Sequence, residues 1–251
     1  MRSGFTLLEM LVVIVIIGIL GSALVVSVQS GYKQARQANC KSNLRQFGVA
    51  LTIYRGEHDN KTPDWLSNLY PDYVDDRSMY ICRSDKNGGR DAPVAEDYLA
   101  AIREKSSFYK KPATWDNANG TGQTRNRAVE TCSYCYEFSA AEGVSGWYSG
   151  KSLPENTVIK TIADYKWVQM TYGDANNTIN GVQMPYSASR IPIIRCSHHW
   201  RDMKIYGRGG PGQAISRLPI TINVAYAGNV FVGPPYWEGT LHPGETQSSG
   251  Q

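Results

Sequence analysis

Five cysteines and four histidines carry most of the chemistry this chain could do. Cys132-Ser133-Tyr134-Cys135, taken with Cys196 and His198 or His199, has the residue types of a metal set, since thiolates and imidazoles are zinc's ligands. The same C-x-x-C reads as easily as part of a strand among aromatics. On a strand over 132–138, Cys132 and Cys135 face opposite sides roughly 10 Å apart, too far for a mutual disulfide. Each would then pair with a distant partner. The preferred bridge is Cys40–Cys82, with Cys196 free to pair with Cys132 or Cys135; five is odd, so one thiol is left over. No catalytic signature joins them: the chain has no Gly-x-Ser-x-Gly, no His-Glu-x-x-His and no Gly-rich phosphate loop. His198-His199 before Trp200 reads as a surface turn, and the sixteen Tyr and six Trp as sheet packing before a carbohydrate face.

A carboxylate near the amino terminus stands apart from these. Glu9 is the only charged side chain between Arg2 and Lys33, and it opens onto an apolar run from Met10 to Val28 without Lys, Arg, Asp, Asn or Pro. As a helix that run is about 28 Å long, close to a bilayer core of about 30 Å. A carboxylate at the edge of a membrane helix is costly and usually has a partner or a function. Glu9 lies one helical turn after Phe5. The plainer alternative is a negative charge placed favourably on the helix dipole.

The elements that must position these residues follow from periodicity. From Gln29 to Arg55 there is no Pro, and Leu44, Phe47, Leu51 and Tyr54 form one helical stripe that Lys33, Arg36, Lys41 and Arg45 avoid. One helix from Phe5 to about Tyr54 is predicted, apolar in its first half and amphipathic in its second. Glu57 to Asp64 is a loop. Thr62 or Asp64 caps a short helix over 65–70 that Pro71 closes. Strands are predicted over 78–82, 132–138, 158–164, 166–171, 191–196 and, most clearly, 220–226, which turns through Ala227-Gly228-Asn229 into a hairpin strand over 230–233. Residues 84–93 and 112–127 read as loops, 98–109 as a helix, and 234–251 as a frayed tail.

Gly4-Phe5-Thr6-Leu7-Leu8-Glu9, preceded only by Met1-Arg2-Ser3 and followed by the apolar run, resembles the class III signal of type IV prepilins and type II secretion pseudopilins. The resemblance implies cleavage after Gly4 by a prepilin peptidase and N-methylation of Phe5. It also implies that Glu9 meets the amino terminus of a neighbouring subunit, a pairing suited to fixing register. An ordinary signal peptide would need a small-x-small site after the apolar region, which Ser22-Ala23-Leu24 and Val26-Ser27-Val28 fit poorly. A second segment, Cys40-x-x-Asn43-Leu44-Arg45-Gln46, followed by Tyr54, Asp59-Asn60 and Pro63, is similar to major-pseudopilin-like proteins with a large head. Cys82-Arg83-Ser84-Asp85 echoes their Cys-Pro-Ser-Asp. Where those relatives carry Asp-Gly in the last hairpin, this chain has Ala227-Gly228. Some major pseudopilins bind calcium in a C-terminal loop, and Asp174 to Gly181 has oxygen ligands at alternating places but lacks the Gly and Glu of an EF-hand loop.

Together these give an α+β fold: a long N-terminal helical spine, its first half transmembrane, packed on an antiparallel β-sheet head. The expected segments are a leader over 1–4, a membrane half over 5–28, an amphipathic half over 29–55, a head over 56–233 and a tail. The roughly 200 residues after the apolar helix suffice for one core, and a net charge of +4 gives no default nucleic-acid partner. The implied function is a filament subunit of a type II secretion-like apparatus, without catalysis and with calcium the one cofactor left open. Its implied partners are itself, the peptidase, an inner-membrane assembly platform and that platform's ATPase. The implied location is the inner membrane with the head in the periplasm, then a periplasmic or extracellular filament. Two alternatives stand beside it: a surface pilin for adhesion or DNA uptake, and a pilin-anchored carbohydrate-binding or enzymatic head.

Overall fold

A computed structural model of the chain describes residues 6–90, 116, 124–142, 153, 157–173, 178–200, 203, 205–208, 215–218 and 220–233, with backbone alone at 23–27, 178, 205–208 and 215–218. Helix α1 runs Leu7–Glu57, three residues beyond the predicted end. The chain divides into two compact units, 1–39 and 40–251. The second unit includes the C-terminal part of α1 from Cys40 onward.

In the first unit the described side chains from Leu7 to Leu20 are exposed. In the second, the predicted stripe turns inward: Leu44, Phe47 and Leu51 are buried and Tyr54 packs at the margin of the core. Phe47 sets its ring edge-on to Tyr80 and Tyr134, with centroids 4.9 and 5.8 Å away, a favoured aromatic geometry. Gly48, next on that face, lets the helix touch the final hairpin. A Cβ there would lie 2.6 Å from the Gly228 carbonyl oxygen.

The sheet is antiparallel, in the order β1 (Cys135–Tyr136), β4 (Pro192–Cys196), β7 (Thr221–Ala225), β8 (Val230–Gly233). All residues of β4 and β7 are buried. Ile194 faces Val224 and Cys196 faces Ile222 across β4 and β7, with a register shift between Pro192 and Ile194. Two-stranded hairpins are formed by β2 (Thr178–Ile179) with β3 (Val182–Gln183), and by β5 (Ile205–Arg208) with β6 (Ile215–Leu218). The α+β class and antiparallel sheet match the expectation from the sequence.

Several elements differ from it, each for a local reason. Residues 78–82 do not form a strand; a 3-10 turn, Arg77–Tyr80, stands there, because Asp76 accepts the Ser78 N–H at 2.8 Å and starts a turn. The 65–70 helix is a 3-10 turn, Leu66–Leu69, with Trp65 at its cap and no side-chain hydrogen bond from Thr62 or Asp64. The two strands predicted over 158–171 are replaced by helix α2, Ile162–Tyr172. Its start is a capping box: Thr161 Oγ accepts from the Asp164 N–H at 3.1 Å, and Asp164 accepts from the Thr161 N–H at 2.9 Å. Gly173, at φ +75, ends it. The strand over 132–138 shrinks to two residues, and the β5–β6 hairpin was not anticipated. Residues 98–109 and 234–251 lie outside the described residues, as do most of 112–127.

A buried charge centre ties α2 to the sheet. Glu137 takes Arg195 at 3.2 Å and Lys166 at 3.3 Å, all three with side chains at most 4% exposed. Asp116, also buried, accepts from Ser67 Oγ at 2.8 Å and Arg125 at 3.1 Å.

Candidate functional site

Among the described residues two places gather candidate functional side chains, and the first is the start of α1. Gly4 and Phe5 lie outside the described residues. Thr6 caps the helix: its N–H and hydroxyl both donate to Glu9 Oε2 at 2.8 Å, and its Oγ accepts the Glu9 N–H at 3.3 Å. This is a reciprocal capping box. Within a single chain, Glu9 is therefore engaged by its own helix cap. Among the described residues no helix is long and apolar enough to cross a membrane. Within the apolar run the side chains at 23–27 lie outside the described residues.

The second place is a set of four side chains in the head unit. Cys40 sits on α1, Cys82 follows the Arg77–Tyr80 turn, Cys196 ends β4, and His199 lies three residues on, in the turn that leaves the strand. Their three sulfur atoms and one ring nitrogen all lie within 4.8 Å of one another. None of the four is more than 1% exposed. The His199 ring has Nε2 3.2 Å from Cys82 Sγ and Nδ1 3.3 Å from Ser84 Oγ.

The cysteines are all free thiols. Cys40 and Cys82, the pair expected to bridge, lie side by side with a third thiol and an imidazole. Cys196, expected to pair with Cys132 or Cys135, is the third thiol. Cys132 points to the Tyr134 carbonyl at 3.7 Å and Cys135 to Glu137 at 4.0 Å, and neither joins the set. Of the two adjacent histidines, His199 belongs to it. His198 instead has Nε2 3.1 Å from the Ser133 carbonyl oxygen and 3.6 Å from Asp85.

Burial and mutual hydrogen bonds push the three thiols in different directions. Hydrogen bonds from Cys196 and then Cys40 hold the Cys82 thiol well below the ordinary thiol range, with a smaller contribution from His199. Cys196 is pushed well above that range, by burial first and then by hydrogen bonds with Cys40 and Cys82. At Cys40 the hydrogen bond from Cys196 pulls down, but the one with Cys82 and burial together raise it. Tyr134 faces Cys40 closely enough to lower its pKa. Its hydroxyl is fully buried and has no hydrogen-bond partner among the described residues.

The sequence pattern set Cys196 and a histidine beside Cys132 and Cys135, and Cys40 beside Cys82; the structure brings Cys196 and His199 to Cys40 and Cys82 instead. The available signal was Cys196-x-x-His199, a metal-ligand spacing at the end of a buried strand, together with Ser84 two residues after Cys82. Three residues of the Cys82-Arg83-Ser84-Asp85 segment have a structural use. Cys82 joins the set and Ser84 holds His199. Asp85 accepts from Ser133 Oγ at 2.8 Å and the Gly89 N–H at 2.8 Å, folding the loop around them.

Of the loop considered for calcium, Asp174 to Asn177 lie outside the described residues. Asn180 and Gly181, with φ of 51° and 75°, form the tip of the β2–β3 hairpin. Ala227-Gly228, where relatives carry Asp-Gly, is the β7–β8 turn, and Gly228 adopts φ +90 against α1.

Comparison with known proteins bears on the first place. The prokaryotic N-terminal methylation motif matches residues 1–25. The chain is similar to the type II secretion system core protein G of Pseudomonas aeruginosa, 41% identical over 54 residues, or 22% of this chain and 38% of that one. It is also similar to the ComG operon protein 3 homolog of Bacillus licheniformis, 34% identical over 63 residues, or 25% of this chain and 65% of that one. The match thus spans less than two thirds of either relative. No solved structure matches the chain.

Proposed function

We propose that this chain is a pilin-like structural subunit of a periplasmic filament in a type II secretion-like system, a reading supported by its methylation motif and its likeness to two such proteins. The observation that carries the reading is the methylation motif over residues 1–25, set on a helix whose described side chains from Leu7 to Leu20 are apolar and exposed apart from Glu9 and Gly18. Exposed Leu, Ile and Val in that number need a covering, either lipid or other copies of the same helix. In this reading a prepilin peptidase cuts after Gly4 and Phe5 becomes the methylated amino terminus. The helix over 5–28 first anchors the subunit in the inner membrane and then packs with its copies in the shaft.

Glu9 has a part in both states. In the free subunit the Thr6 cap holds it. In the shaft it exchanges that cap for the ammonium of a neighbouring Phe5, so the cost of a carboxylate in apolar surroundings is offset by a charge partner. The work is mechanical, and the energy comes from an assembly ATPase acting through a membrane platform.

The likeness to protein G favours the secretion system over a surface pilus. Deleting the gene in the native host, and complementing with the wild type or Glu9→Ala, tests this. Lost export of secreted proteins with surface pili intact supports the reading, with Glu9→Ala failing to restore export. Lost pili with export intact would make the chain a surface pilin instead.

A further inference from the structure

The four-residue set in the head is independent of the filament reading and has the composition of a metal site. We propose that Cys40, Cys82, Cys196 and His199 bind a structural zinc ion. Three thiolates and one imidazole are a standard structural zinc set, closed to substrate because all four positions are filled by protein. A tetrahedral ion with Zn–S of about 2.3 Å and Zn–N of about 2.0–2.1 Å spaces its ligand atoms roughly 3.5–3.8 Å apart. The ligand atoms here already lie within 4.8 Å of one another.

Three further observations point the same way. The set is drawn from α1, the loop after the Arg77–Tyr80 turn and the end of β4, so one ion would pin three parts of the head that are distant in sequence. His199 is oriented as a metal-ligating imidazole is: Nδ1 is held by Ser84 Oγ, and Nε2 turns to Cys82. A hydrogen bond on the outer nitrogen fixes the tautomer that leaves the inner one free to coordinate. The Tyr134 hydroxyl, whose ring packs on Phe47 of α1, is fully buried and makes no hydrogen bond among the described residues, a polar atom left for a buried thiolate to satisfy. A disulfide explains less. It would consume two of three thiols and strand the third, with the imidazole, in the core. Soft thiolates with imidazole select zinc over calcium or magnesium, which take oxygen ligands.

The test uses the full-length protein in detergent, purified anaerobically with reductant, given one equivalent of Zn2+ and passed through gel filtration. Mass spectrometry of the bound metal should find about one zinc per chain. Cys196→Ser and His199→Ala should lose it, and Cys132→Ser, outside the set, should keep it. Because ligand variants can lose zinc merely by unfolding, Ser84→Ala provides a second reading. It should keep the head's circular dichroism yet bind zinc roughly 10–100-fold more weakly in chelator competition. Cobalt in place of zinc should show thiolate-to-cobalt charge transfer and the strong visible bands of a tetrahedral site. The proposal is overturned if folded wild type retains no zinc, or if Ser84→Ala and the ligand variants retain it as wild type does. It is also overturned if protein isolated from its host carries a disulfide among Cys40, Cys82 and Cys196.

Discussion

Gly48 and Gly56 lie eight residues apart on the same helix and should respond oppositely to one substitution. In a helix interior, Gly→Ala gains roughly 1 kcal/mol of propensity. At Gly56 a Cβ meets nothing within 4 Å, so Gly56→Ala keeps that gain, reduced by its place in the last turn. At Gly48 the new methyl would sit 2.6 Å from the Gly228 carbonyl oxygen and 3.2 Å from Val224 Cγ1. The oxygen cannot simply swing aside. Gly228 is fixed in the β7–β8 turn by its N–H bond to Ala225, at 2.8 Å, and by φ +90. Overpacking of this kind costs about 1–3 kcal/mol, which cancels or exceeds the propensity gain. The two variants should therefore differ by about 1–3 kcal/mol, or roughly 2–12 °C in midpoint for a domain of this size. Thermal unfolding of the full-length protein, followed by near-ultraviolet circular dichroism of the Phe47–Tyr80–Tyr134 cluster, reads the head alone. If Gly48→Ala melts at or above Gly56→Ala, the helix does not lie against the hairpin as described.

Three other perturbations have definite outcomes. Glu137→Gln removes the carboxylate between buried Lys166 and Arg195 and should cost about 3–5 kcal/mol in denaturant unfolding, against near-wild-type stability for a surface change such as Lys86→Gln. The Ser78 hydroxyl and N–H hold the Asp76 carboxyl below its usual range. Since its folded pKa is depressed, the cap's contribution is present above the unfolded carboxylate pKa of about 4 and lost as pH falls through the folded value. Asp76→Asn should flatten the urea midpoint's dependence on pH below about 4; an unchanged slope would mean that the cap does not form. Thr6→Ala and Glu9→Ala both break the capping box at the helix start. Only Glu9→Ala should abolish filament assembly in cross-linking of membranes, whereas equal loss in both would reduce Glu9's role to capping.

The stripe Leu44, Phe47, Leu51 and Tyr54 was legible in the sequence because one buried helical face repeats every 3.6 residues and nothing in the segment competes with it. Strand β7 was legible for the matching reason, with β-branched residues at period 2. Helix α2 was not, because Val158, Ile159, Thr161 and Ile162 mimic a strand, and the decisive signal, Thr161-x-x-Asp164, is two residues of local hydrogen bonding. The same kind of box, Thr6-x-x-Glu9, went unread beside the stronger prepilin pattern. The Cys/His set was the hardest to see. Its members stand at 40, 82, 196 and 199, and only folding brings them together; the nearer C-x-x-C at 132–135 drew attention to two thiols that face elsewhere.

The filament reading stands on what happens at Gly4. The mass of the N-terminal peptide, taken from membranes of the native host with and without its prepilin peptidase, measures that event. A peptide beginning at methylated Phe5, absent when the peptidase is absent, is expected. An intact Met1, or a cut beyond Ser22 in either strain, would mean that the apolar helix is an ordinary anchor or signal and that the chain builds no filament.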